Sequence, residues 1–273
     1  MMNRWLKGVA IAALTAVGTV AAQAADLPTR KEAPAPVFVP PPFTWTGFYV
    51  GANVGGIFTS GSRSATLFAP AAFPFAVQAN FPGGLGNGQS GVIGGGQAGY
   101  NWQTGAFVLG VETDFQGTSL SKKVDVIGPS FLGPAGPGDF FTLHAKASLD
   151  WLGTTRGRVG FVATPDNRLM IYATGGVAYG GGSSNFSFFD TSGAFWSGNP
   201  STSRVGWTAG AGVEYALTNN WTIRAEYLYA DLGKSNFTSV GNAVAATEFP
   251  GVYASGHISY NASIARAAVN YKF

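Results

Sequence analysis

From Gly47 to the C-terminal Phe273 the chain alternates between apolar and small or polar residues. Phe48, Val50, Ala52, Val54 and Phe58 fall on one parity, and Tyr49, Gly51, Asn53 and Gly55 on the other. A period of two belongs to extended chain, whose successive side chains point to opposite faces. The pattern recurs over 91–103, 106–118, 144–162, 169–179, 205–215, 221–232 and 256–273. In the third segment Phe107, Leu109, Val111 and Phe115 oppose Glu112, Asp114 and Gln116. In the fourth Leu149, Trp151, Val159 and Phe161 oppose Lys146, Asp150, Arg156 and Arg158. Charged and greasy residues separate by parity, and the number of strands expected is eight.

The connections choose among architectures. Thr104-Gly105, Thr164-Pro165-Asp166-Asn167 and Thr218-Asn219-Asn220 are short turn sequences, whereas about 59–90, 119–143, 180–203 and 233–255 are long and rich in Gly, Ser, Asn and Pro. Alternation of short turns with long loops is the pattern of an outer-membrane barrel, with turns in the periplasm and loops outside. A soluble β-sandwich also alternates, but its strands average about 5–6 residues, while these exceed the roughly 9–11 that cross a bilayer at a tilt. Charged residues make up 11% of the chain, far below the roughly 25% of a soluble domain. Aromatic residues near the strand ends (Trp102, Phe107, Phe161, Trp207, Trp221, Tyr229) suit interfacial girdles. The expected fold is therefore all-β: an eight-stranded antiparallel up-and-down transmembrane β-barrel over 46–273.

Residues 1–24 read as a secretory signal peptide. Arg4 and Lys7 precede the apolar stretch Gly8 to Ala22 and the small-residue site Ala22-Gln23-Ala24, and fifteen apolar residues are short for a spanning helix. Cleavage there removes two cations from a formal charge of +3, which leaves little attraction for nucleic acid. Residues 25–45, with prolines at 28, 34, 36, 40, 41 and 42, read as an extended periplasmic linker, and Arg30 and Lys31 give it a short basic site.

These features together resemble the outer-membrane immunogenic protein family, the small "porin family" barrels of Gram-negative bacteria related to OmpA-like and opacity barrels. The resemblance rests on Ala24-Ala25-Asp26-Leu27-Pro28, the proline tract, Trp45-Thr46-Gly47-Phe48-Tyr49-Val50-Gly51 and the terminal Val269-Asn270-Tyr271-Lys272-Phe273, and it spans essentially the whole chain. It implies a surface antigen of the cell outer membrane. In some members it also implies envelope support, slow solute diffusion or haem binding, without a residue motif for any of these. It further implies that Val269, Tyr271 and Phe273, on the lipid-facing parity, form the signal read by the barrel-assembly machinery.

The interior parity carries Glu112, Asp114, Asp150, Glu214 and Glu226 against Lys146, Arg156, Arg158, Arg224, Arg266 and Lys272. A near-neutral set in an interior only wide enough for side chains predicts mutual pairing and a plugged lumen. Gly51, Gly55, Gly99, Gly210 and Gly212 leave room for the long charged chains. The function expected is structural and surface-exposed; a narrow channel for small solutes and a loop-borne receptor or adhesin are the alternatives. The expected partners are outer-membrane lipid and lipopolysaccharide, near which Lys122, Lys123, Arg204 and Lys234 sit. A monomer is expected.

Catalysis finds little support. There is no cysteine, and the histidines are two, His144 and His257. His257 and Ser259 share the lipid-facing parity with no acid at even spacing, so a triad lacks its orienting group. The glycines of Gly91 to Gly99 lack the helix and lysine of a phosphate-binding loop. No cofactor or metal is expected. The run Leu67 to Phe75 in the first long loop is unusually apolar and suits a cover over the barrel mouth.

Overall fold

The computed structural model describes residues 42–60, 63–68, 79–80, 88–129, 139–198 and 203–273. The expected signal peptide, the linker up to residue 41 and the apolar loop run from residue 69 lie outside the described residues.

The alternating segments form long strands: β1 (Gly47–Thr59), β4 (Gln89–Thr104), β5 (Phe107–Pro129), β6 (Phe140–Val162), β7 (Leu169–Gly181), β10 (Ser203–Ala216), β11 (Trp221–Gly241) and β12 (Tyr253–Lys272). Between them lie β2 (Arg63–Phe68), β3 (Ala79–Asn80), β8 (Ser184–Asp190), β9 (Phe195–Gly198) and one short helix, α1 (Ala243–Glu248). The order in the sheet is β3-β2-β12-β1-β4-β5-β6-β7-β10-β11-β9-β8, with further pairings of β12 to β11 and of β6 to β8. The pairings among the described strands are antiparallel, and β12 is bonded to β11 along nearly its whole length and, in turn, to β1 and to β2.

This order corrects the eight-stranded up-and-down barrel expected from the sequence, and with it the simple multi-pass crossing by eight strands. Among the described residues the sheet has twelve strands, and strands adjacent in it are not always successive in the chain. The reason is local. β5 and β6 run 23 residues each, β11 21 and β12 20, about twice what a membrane crossing requires. Their projecting ends offer unpaired backbone groups, which segments expected to be loops satisfy. β8 pairs with β6 from Phe141↔Asp190 to Ala147↔Ser184, β9 joins β8 to β11, and β2 pairs with β12. β8 itself alternates, burying Phe186 and Phe188 while Asn185 and Phe189 are exposed. The composition of that stretch disguises the periodicity among Gly and Ser residues.

The projecting region has its own apolar core of Phe141, Leu143, Phe186, Phe188, Trp196 and Val252. The Trp196 indole donates to the Val252 carbonyl at 3.2 Å. Asn242 caps α1, its side chain accepting from the Ala245 backbone N–H. Two irregularities mark the passage from the lower sheet to this lobe. Gly117 pairs with Trp151 but Leu120 with Leu149, an extra residue in β5. In β11 the register slips between Asp231 and Lys234, where Gly233 adopts φ +77° and donates its N–H to the Asp231 carboxylate.

Below these bulges one face of the sheet is apolar and exposed. Phe48, Val54, Val92, Leu109, Val111, Phe115 and Val159 all lie on it. So continuous an apolar surface fits lipid rather than water. Aromatic pairs mark its two edges: Phe107–Phe161 and Trp221–Tyr271 beside the short turns, Phe115–Trp151 and Trp207–Tyr229 at the other end.

Replacing Trp196 by Ala should cost about 3–5 kcal/mol, as truncation of a fully buried aromatic does. The loss should stay within the lobe. Hydrogen exchange should quicken at amides of β8, β9 and α1 and stay unchanged in β4 and β7; uniform quickening would show that the lobe has no core of its own.

Candidate functional site

On the inner face, acids and arginines meet through the register itself. Glu112 of β5 lies directly across from Arg156 of β6, Glu214 of β10 from Arg224 of β11, and Glu226 of β11 from Arg266 of β12. On their other sides, Glu112 faces Gly99, Arg156 faces Gly176, Glu226 faces Gly212 and Arg266 faces Gly55. Each of these four charged chains thus has a paired neighbour on one flank and a glycine on the other, and can extend inward; Glu214 and Arg224 have Met170 and Ala268 there instead. At Gly99 and Gly212 the space has an occupant: a Cβ there would collide with the phenol groups of Tyr49 and Tyr172.

Four arginines and four acids converge. The Arg156 guanidinium reaches Glu112, Asp114 at 3.0 Å and Glu226 at 3.0 Å. Arg266 holds Asp114 at 3.0 Å and also Glu226. Arg158 holds Glu214 at 2.8 Å, and Arg224 bridges Glu112 at 2.6 Å and Glu214 at 3.1 Å. Neutral donors complete the carboxylates' shells. Tyr49 donates to Glu112 at 2.6 Å and Tyr172 to Glu226 at 2.8 Å. Thr222 and Asn270 donate to Glu214, and Gln116 to Asp114. All eight charged side chains are at most 3% exposed.

Apolar layers lie on both sides of the charges. Toward the lobe, Ile57, Ile93, Leu120, Leu152, Leu228 and Ile264 form one buried cluster. Toward the short turns, Phe43, Trp45, Val108, Val162, Met170 and Ala216 form another. Phe43 and Trp45 come from the segment expected to be the end of the linker; the Trp45 indole donates to the Asn167 carbonyl at 2.9 Å. A cavity of about 30 Å³, about the volume of one water molecule in the liquid, adjoins the lobe-side layer between Leu120, Leu152, Leu232 and Tyr260.

Of the eleven residues expected in an interior charge network, the structure brings these eight together. Lys146 and Asp150 are exposed and outside the cluster. Beyond the bulge the inner positions of β6 become Ala147, Leu143 and Phe141, so parity counted from Arg156 no longer holds at Lys146. Lys272 is half-buried near the short turns, its ammonium 5.5 Å from the Phe43 ring centroid. Of the terminal aromatic set, Val269 and Phe273 are exposed on the outer face, and Tyr271 packs edge-on against Trp221 and Phe273. Sequence reasoning missed Tyr49, Tyr172 and Asn270 as members of the network. Their parity was visible, but only the register showed which glycine each would fill. Among the described residues no group of three or more His, Asp or Glu could hold a metal ion, and the His257 side chain lies outside them.

The described arrangement agrees with what the chain is similar to. The family model described as "Outer membrane protein beta-barrel domain" matches residues 10–273. The "31 kDa outer-membrane immunogenic protein" of Brucella melitensis is 37% identical over 270 residues, covering 98% of this chain and 100% of the relative. The "25 kDa outer-membrane immunogenic protein" of Brucella abortus is 31% identical over 88% of this chain and 92% of the relative. Among solved structures, the outer membrane protein OprG from Pseudomonas aeruginosa aligns with 85% of this chain and 98% of its own, at 14% identity and a TM-score of 0.46. With its apolar outer face, its buried charge layer and these full-length relatives, the chain belongs to the outer-membrane protein β-barrel family, as one of its small immunogenic outer-membrane proteins.

Proposed function

We propose that this protein is a structural, non-conducting component of the outer membrane that supports the envelope and displays its lobe at the cell surface. The observation that carries the reading is the layered interior: a cross-linked charge layer between two apolar ones. A hydrated ion travelling along the inner face would have to displace Trp45 and Met170, break several ion pairs, and then pass Leu152 and Ile264. Breaking one buried pair by removing a partner costs about 3–5 kcal/mol, so opening the whole layer is far outside thermal reach. The narrow solute channel is disfavoured on that ground. No described site favours chemistry over support.

The rest of the reading follows from placement. Residues 1–24 serve as a cleaved export signal and residues 25–45 as a periplasmic linker. The outward Val269, Tyr271 and Phe273 end β12 with an aromatic, lipid-facing edge, which suits recognition by the barrel-assembly machinery. The apolar band takes outer-membrane lipid, and the region above it lies among lipopolysaccharide.

In a planar bilayer, the refolded chain lacking residues 1–24 should give no stable conductance steps, once heat-modifiable migration shows it is folded. Reproducible steps from folded protein would overturn the occluded interior. Replacing Glu226 by Gln leaves Arg156 and Arg266 short of a negative partner and should lower stability by about 3 kcal/mol; an unchanged melting temperature would show that the layer is not mutually dependent. Ala at position 212 should be similarly harmful, because its methyl group meets the Tyr172 phenol; normal melting with the Tyr172 environment unchanged would refute the packing argument.

A further inference from the structure

Above the bulge in β5, the outward face of the lobe presents a row of donors without a matching acid. Lys123 of β5 lies directly across from Lys146 of β6, and Lys146 directly across from Asn185 of β8. The next row outward is Asp125, His144 and Ser187. Lys123, Lys146 and Asn185 are all exposed. Directly opposed residues of an antiparallel pair have Cβ atoms about 4.5–5.5 Å apart, and like charges there repel. Asp125 does not relieve the repulsion as an ion pair, since its carboxylate lies 2.6 Å from the imidazole Nδ1 of His144. Among the described residues neither lysine forms an ion pair with an acid.

Position limits what can neutralise the pair. Lys123 lies eight residues beyond Phe115, whose ring stacks on Trp151 at the upper edge of the apolar band. At about 3.3 Å per residue and a tilt near 40°, that is roughly 20 Å above the band. The row faces sideways, away from the apolar core of Phe141, Leu143 and Phe188, toward whatever surrounds the protein in the leaflet. At that height, beside a membrane protein, the neighbouring molecules are the head and core saccharides of glycolipids.

We infer that Lys123, Lys146 and Asn185 form a binding site for a phosphate-bearing saccharide of the surrounding lipopolysaccharide, with the anion between the two ammonium groups and the Asn185 amide on its flank. The inference rests on the outer-membrane placement proposed above. It adds to envelope support a physical link: a cross-strand lysine pair that ties the rigid lobe to the anionic sugar layer. A point charge on a long flexible stem suits a phosphate held among sugars, where the ammonium can follow the ligand.

The test uses the refolded chain in phospholipid nanodiscs doped with purified lipopolysaccharide, either phosphorylated in its core or treated with phosphatase. Native mass spectrometry counts the lipopolysaccharide retained. The parent chain should prefer the phosphorylated form by about tenfold. Lys123→Glu with Lys146→Glu should abolish the preference, Lys123→Arg with Lys146→Arg should keep it, and Lys234→Glu, an exposed lysine elsewhere on the lobe, should leave it intact. Single Lys123→Glu should raise the melting temperature of the lobe in lipopolysaccharide-free discs, because it replaces repulsion with attraction. Equal retention of the two lipopolysaccharides, an equal effect of Lys234→Glu, or displacement by a soluble sulfated glycan at lower concentration than by phosphorylated core sugar would overturn the site. A parent chain that is folded and electrically silent but shows no phosphate preference would sink this inference alone; a conducting chain would sink the structural reading instead.

Discussion

The structure depends on the cost of leaving an arginine or a carboxylate unpaired away from water. Such a group loses several kcal/mol of hydration, which only close partners can return. Here the return is arranged by strand register: Glu112 with Arg156, Glu214 with Arg224, Glu226 with Arg266. A slip of one residue at any of these pairings would turn a charged chain toward the lipid, and a slip of two would set it against a residue of the wrong size or sign. The charge layer therefore selects one alignment of the sheet from the many that a merely alternating sequence allows. It is weak evidence for stability as such, since well-packed hydrophobic side chains often replace buried ion pairs without loss. Its stronger consequence is specificity.

The same layer explains where the glycines and tyrosines fall. A long guanidinium can cross the interior only if the strand beside it leaves room, so Gly55, Gly99, Gly176 and Gly212 stand opposite charged residues. Tyr49 and Tyr172 fill two of these spaces and spend their hydroxyl groups on Glu112 and Glu226. Arg158 lies with its guanidinium carbon 4.3 Å from the Tyr172 ring centroid, so the aromatic face is used as well as the hydroxyl. Apolar side chains above and below then keep water from competing for these contacts.

Much of this was legible in the sequence because lipid and interior make opposite demands on alternate residues. Parity alone separated Phe107, Leu109 and Val111 from Glu112 and Asp114, and it placed in one interior set the eight residues that pair together with Lys146, Asp150 and Lys272, which do not. It failed where the chain leaves the membrane band. There neither face must meet lipid, so β8 and β9 look like loop sequence until Phe186, Phe188 and Trp196 are seen to share a core. It failed again at the irregularity between β5 and β6: β5 keeps its parity through Leu120, but the inner positions of β6 pass from Leu152 to Leu149, and nothing in that stretch of sequence announces the change. The eight-strand expectation and the interior placement of Lys146 both came from extending a membrane rule into the lobe.

That boundary also divides the protein's tasks. Inside the band, outer positions must be apolar and inner ones paired, so few substitutions are neutral at either. Above the bulges the lobe keeps its shape with an aromatic core, and its outward positions mix exposed lysines, as at Lys123 and Lys146, with exposed apolar residues such as Ile127 and Val240. A rigid base and a separately stabilised lobe allow surface residues to change without disturbing the register beneath. Such a division suits a protein whose exposed surface faces other molecules while its buried half only has to stay closed.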